Sequence, residues 1–254
     1  MESAIMHNAL YLALFTASLL GFRHGFDYDH IAAITDVVSV QHSKRTAMRL
    51  GMTYALGHAL TVALLGSIVI VFGINLPTSV DRWAERLVGI TLLVLGIYVL
   101  GTLLFKPAAL PKSRYMLLHQ GYHRVLYAFK TNLKDHSGLL PASQQTPSLS
   151  FDTRSVFVIG IVHGLGAETP SQLLIFLLAA NLGGAVLGML GLSMFLAGLL
   201  TMNALMTASV AGVFGASRHR PQLLRFVSAL TAVYSLAMGI VFLAGRSFQL
   251  PVIN

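Results

Sequence analysis

Six apolar segments, at about 10–38, 47–73, 85–105, 154–180, 185–214 and 222–244, leave this chain one class of architecture. Each is long enough to cross a hydrocarbon layer, which takes about twenty residues. A segment surrounded by lipid has to pair its own backbone N–H and C=O groups, and a helix does so. Composition agrees: 55% of the residues are hydrophobic and only 10% charged, with a mean hydropathy of +0.73. A soluble domain carries about a quarter charged residues. The expectation is an all-α integral membrane protein with about six transmembrane helices. Residues 10–22 alone are too short to cross, so the first segment reads as one long helix, loosened at Gly21 and Gly25.

The charges lie between these segments. Thirteen Lys and Arg fall on one side: Lys44, Arg45, Arg49, seven between Lys106 and Arg154, and Arg218, Arg220 and Arg225. Only Arg82, Arg86 and Arg246 fall on the other, with Arg23 inside the membrane. Basic loops stay in the cytoplasm, so both termini are expected outside a bacterial inner membrane. The net charge of +8 is explained by these loops without nucleic acid. The first ten residues lack a basic n-region and cleavage pattern, so no signal peptide is expected. No P-loop sequence is present, and no ATPase subunit is expected in this chain.

One apolar segment is interrupted by chemistry. RHGFDYDHIAAITD, from Arg23 to Asp36, holds Arg23, His24, Asp27, Asp29, His30 and Asp36. Ionisable groups at membrane depth are costly and mark function. On a continuous helix His24, Asp27 and His30 share one face at i, i+3, i+6, and Asp29 and Asp36 share another. Two imidazoles with a carboxylate form a ligand set for a divalent transition metal. Buried ion pairs around Arg23 are the alternative. With no Cys in the chain, thiolate sites are excluded. The second segment adds His58, with Thr61 three residues on, as a further ligand candidate with a polar neighbour.

At an offset of 139, Gly21, His24, Gly25 and Asp29 fall on Gly160, His163, Gly164 and Glu168. Arg86-Leu87-Val88 falls on Arg225-Phe226-Val227. A three-helix unit crosses an odd number of times, so its second copy is inverted, the 3+3 plan of many secondary transporters. The expected organisation is 1–105 as first repeat, 106–153 as a basic cytoplasmic loop and 154–254 as second repeat. Gly164, Gly166 and Pro170 loosen the fourth segment, and His163 and Glu168 are expected to complete the metal site or gate it. Gln172 shares a helix face with Glu168. In the fifth segment Thr201, Asn203 and Thr207 are the comparable polar groups, read mainly as interhelical hydrogen bonds. In the loop, 113–134 reads as a basic helix on the inner leaflet or as a solvated tether, with His119, His123 and His136 as scattered histidines.

Arg23-His24-Gly25-Phe26-Asp27-Tyr28-Asp29-His30-Ile31 resembles the R-H-A-x-D-A-D-H-I signature of the nickel/cobalt transporter family, the high-affinity nickel permeases. Gly57-His58-Ala59-Leu60-Thr61-Val62 is similar to that family's Gly-His-Ser-Thr-Val-Val sequence. Leu165-Gly166-Ala167-Glu168-Thr169 resembles its third motif more loosely, and Gly198–Asn203 resembles the fourth without its acid. The resemblance implies that His24, Asp27, Asp29, His30 and His58 bear on metal recognition or passage. Taken together, the metal residues expected are His24, Asp27, Asp29, His30, His58, His163 and Glu168. Arg23, Asp36, Thr61, Thr169, Gln172 and Asn203 are expected to support or gate them. The function expected is secondary transport of Ni²⁺ or Co²⁺ as substrate, most simply inward, with no prosthetic group. Imidazole also suits zinc. Export of the same metals and an intramembrane metalloenzyme are the rivals; the latter lacks an H-E-x-x-H sequence.

Overall fold

The computed structural model describes the backbone of residues 2–41, 43–73, 78–104, 151–166, 170–217 and 220–246. Side chains are described for residues 8, 10–41, 43–73, 82–104, 151–166, 184–217 and 220–246. The described residues form helices α1 (Glu2–His24), α2 (Tyr28–Ser39), α3 (Lys44–Phe72) and α4 (Thr78–Leu104). After them come α5 (Thr153–Gly166), α6 (Pro170–Ser217) and α7 (Pro221–Leu243). The chain divides into one unit of residues 1–100 with 150–254 and another of 101–149. All seven helices belong to the first unit, save the last turn of α4.

Among the described residues, four stretches are long and apolar enough to cross a membrane: Lys44–Phe72, Arg82–Leu104, Gly184–Ser217 and Pro221–Leu243. This is a multi-pass membrane protein. The first segment departs from expectation, because it is two helices rather than one. After α1 the amide of Phe26 bonds the carbonyl of Arg23 at 2.9 Å, and that of Asp27 bonds His24 at 3.0 Å. These tight closures end the helix. Asp27 then turns extended (ψ 160°) and its carbonyl accepts the Ile31 amide, starting α2. In the fourth segment the described residues form α5, Thr153–Gly166, and the start of α6 from Pro170. Within α6 a second break falls at Gly184, where φ of +77° suits a residue without Cβ.

Other ends follow local chemistry. Ser43 caps α3 by accepting the Thr46 amide at 3.0 Å, and Gly73 closes it in the left-handed region. Pro221 opens α7, where no intrahelical N–H is missed.

Glycine sets how closely the helices approach. A Cβ on Gly21 of α1 would overlap the Phe195 carbonyl of α6, and one on Gly198 of α6 the Ser18 carbonyl of α1. The same reciprocal contact joins α3 and α5: Gly57 meets the Phe157 carbonyl, and Gly160 meets that of Tyr54. In lipid, where apolar burial gives little drive, such close packing is a main source of helix association. Helix α6 runs antiparallel to α3, with Thr207 beside Gly51 and Leu192 beside Gly66. The buried core joins Ala32, Ile34 and Val37 of α2 to Leu50 and Tyr54 of α3 and Leu92 of α4.

Candidate metal centre

The break after α1 positions the site. His24 is the last residue of α1, and His30 lies in the first turn of α2. Ending one helix and starting another turns both rings inward by a route that a continuous helix would not allow. Helix α3 passes alongside and contributes His58. Ring centroids are 5.1 Å apart for His24 and His30, 5.5 Å for His24 and His58, and 4.4 Å for His30 and His58. One nitrogen from each ring lies within 4.8 Å of the others. All three residues are buried.

Two carboxylates fix the rings. The Nδ1 of His24 lies 2.8 Å from Asp27 Oδ2, and the Nδ1 of His30 lies 3.1 Å from Asp29 Oδ1. A carboxylate accepts, so each Nδ1 carries the proton and each Nε2 keeps its lone pair. A carboxylate behind an imidazole is the usual support of a metal-binding histidine. It also explains the cap of α2. Asp27 occupies the capping position but makes no side-chain cap bond, because its carboxylate reaches back to His24. The Nε2 of His30 and both ring nitrogens of His58 are buried without a hydrogen-bond partner. Leaving such a group unsatisfied costs about 1–3 kcal/mol. The donor set, neutral nitrogens backed by carboxylates, fits a divalent transition metal.

The other expected residues fall elsewhere. His163 is buried but stands outside the trio. Its Nδ1 is 2.9 Å from the Tyr54 hydroxyl and its Nε2 is 2.6 Å from Thr91 Oγ1. Thr91 spends its one hydrogen on the Val88 carbonyl at 2.8 Å. Its oxygen therefore accepts from Nε2–H, and Nδ1 accepts from Tyr54. With both nitrogens engaged, His163 offers no lone pair to a metal. Asp27 and Asp29 hold imidazoles and are not grouped with the trio as ligands. Arg23 is exposed, and Thr61 bonds the carbonyls of Gly57 and Ile161 at 3.3 and 3.2 Å. Asn203 is fully buried with neither amide atom partnered, and Asp36 is buried two turns beyond His30. Glu168, Thr169, the side chain of Gln172 and the loop histidines His119, His123 and His136 lie outside the described residues.

Sequence reasoning missed Tyr54, Thr91 and Phe195. Tyr54 stands one turn before His58, a polar aromatic in an apolar helix, and that was a usable signal. The Phe195 ring lies 5.6 Å from that of His24. Nothing local distinguishes Thr91 or Phe195.

Comparison with known proteins agrees with this chemistry. The sequence profile of a family described as high-affinity nickel-transport protein matches residues 10–244. The high-affinity nickel-transport protein NixA of Helicobacter pylori is 26% identical over 215 residues, 78% of this chain and 62% of that protein. The high-affinity nickel transport protein of Cupriavidus necator is 25% identical over 234 residues, 84% of this chain and 65% of that one. The cobalt transport protein NhlF of Rhodococcus rhodochrous is 25% identical over 170 residues, 65% and 48% of the two chains. The match thus spans less than two thirds of each relative's length. No solved structure matches.

Proposed function

The chain belongs to the high-affinity nickel-transport protein family, and on that premise we propose that it is a secondary transporter carrying Ni²⁺ or Co²⁺ inward across a bacterial cytoplasmic membrane. The observation that carries this reading is the convergence of His24, His30 and His58 at a break between two helices, each within reach of one ion. Interrupted helices are where transporters of this kind hold their substrates. The three imidazoles replace part of the ion's water shell, while Asp27 and Asp29 orient two of them and offset its charge.

The reading extends to architecture. Each half has a split helix followed by two long ones, and the Gly21–Gly198 contact is answered by the Gly57–Gly160 contact. Both features support a six-crossing, 3+3 inverted repeat, and the excess of Lys and Arg in the loops of one side supports both termini outside. In this plan the two halves have diverged. His24 handles metal, whereas His163 at the matching position holds Tyr54 and Thr91. Glu168 remains a candidate for the gate.

Energy requires no ATP. Two charges moved inward gain about 4.6 kcal/mol per 100 mV, enough for roughly a thousandfold accumulation. Cells expressing the chain are expected to accumulate nickel or cobalt and to become sensitive to it. Metal resistance with lowered cellular metal would instead mean export.

A further inference from the structure

Among the described residues, Asp36 is the buried acid that the metal centre does not use. It is 0% exposed, and neither carboxylate oxygen has a hydrogen-bond partner. Two ion pairs join His24 to Asp27 and Asp29 to His30, and Asp36 is in neither. Its polar neighbours are the Thr231 and Ser235 hydroxyls of α7, close by but outside hydrogen-bond geometry. Both hydroxyls are turned to carbonyls: Thr231 donates to Ser228 at 3.0 Å and Ser235 to Ala32 at 3.5 Å. The groups beside the carboxylate are thus neutral hydroxyls, and none is a cation. A buried carboxylate with only neutral neighbours lacks a counter-charge, and at membrane depth that is costly.

The surrounding elements supply none. On α2 itself the other interior titratable groups are Asp29 and His30. Helix α3 turns Tyr54 and His58 inward, α6 carries no titratable residue, and α7 offers Tyr234, whose hydroxyl bonds the Tyr28 carbonyl at 3.3 Å. Arg49 and Arg225 are exposed. An all-oxygen donor set is wrong for nickel, which the imidazole trio suits better, and right for a hard cation. The position fits as well. Asp36 follows His30 by six residues, about 9 Å along α2, toward the basic end of α3.

We propose that Asp36, Thr231 and Ser235 form a second site, for a small monovalent cation whose movement is coupled to that of the metal. This rests on the proposed transport of nickel or cobalt. The shared chemistry, a positive charge held by carboxylate and hydroxyl oxygens, is met by sodium or by a proton.

The test uses the full chain in proteoliposomes, with Ni²⁺ uptake followed at a fixed inside-negative potential. A sodium gradient and a pH gradient are imposed separately. Expected is a flux change of about fivefold or more with one gradient, which identifies the cation. Asp36→Asn should abolish that response while nickel binding by the purified protein stays near the wild-type level. The pair Thr231→Val and Ser235→Ala should raise the cation concentration giving half the response, and it carries the test if Asp36→Asn fails to bind nickel. Wild-type flux indifferent to both gradients, or an Asp36→Asn response equal to wild type, overturns the cation site and leaves metal transport standing. A wild type that carries no nickel overturns both.

Discussion

The Nδ1 of His24 and the carboxylate of Asp27 meet at 2.8 Å across the break between α1 and α2. The contact ties the end of one helix to the start of the next and sets the protonation pattern of a ring that faces two other imidazoles. Asp27 is half-exposed while His24 is buried, so the ring is fixed from the accessible side. Asp27→Asn keeps the shape but not the charge. It should lower nickel affinity by about 10- to 100-fold without unfolding the protein. Calorimetric titration of the purified protein checks this; unchanged affinity would show that the carboxylate does not tune the ring.

His163 and His58 should behave differently although both are buried histidines. His58→Ala removes a ring with two unpartnered nitrogens and should abolish high-affinity metal binding. His163→Ala instead strands the Tyr54 hydroxyl and costs about 1–3 kcal/mol of stability. Thermal unfolding in detergent, with and without nickel, separates the two. The His163 variant should melt earlier yet still be stabilised by nickel. Loss of nickel stabilisation in that variant alone would place His163 in the metal's coordination instead.

The paired close approaches can be probed at their centres. Gly160→Val and Gly198→Val each push a side chain into a facing carbonyl, of Tyr54 and Ser18 respectively, and should destabilise by about 1–3 kcal/mol or block assembly. Gly212→Val, also on α6, meets nothing within 4 Å of its Cβ and should be tolerated. Equal effects at Gly212 and Gly198 would mean that helix contact is not what these glycines serve.

Because the chain has no Cys, single-cysteine labelling can report its orientation cleanly. Ser43→Cys, at the exposed start of α3, should react with a membrane-impermeant thiol reagent only in opened vesicles or lysed cells. Arg246→Cys should react in intact ones. The reverse pattern would turn the topology over.

Much of this was legible in the sequence, and the exceptions share a cause. The second to sixth apolar segments lie within a few residues of α3, α4, α5 with the start of α6, the rest of α6, and α7. Their length and apolarity are local properties. The cluster from Arg23 to Asp36 stood out because charge in an apolar run is rare. Periodicity, however, assumes that a helix continues. At 25–27 it does not, so placing His24 and His30 on one helical face was the wrong geometry for two residues that do converge. The fate of His163 was hidden for another reason: its partners Thr91 and Tyr54 lie 72 and 109 residues away. Gly21 and Gly160 match at the offset of 139, but only packing reveals that each meets a carbonyl of the opposite half.

The central claim, that three imidazoles at a broken helix pass a metal ion through the membrane, is tested most directly by flux. Purified wild-type protein and His24→Ala would be placed in proteoliposomes with an inside-negative potential, and Ni²⁺, Co²⁺ and Zn²⁺ offered separately. Expected is uptake of nickel or cobalt by the wild type that follows the imposed potential and vanishes with His24→Ala. Folded wild-type protein carrying none of the three metals, or carrying them equally well without His24, would contradict it.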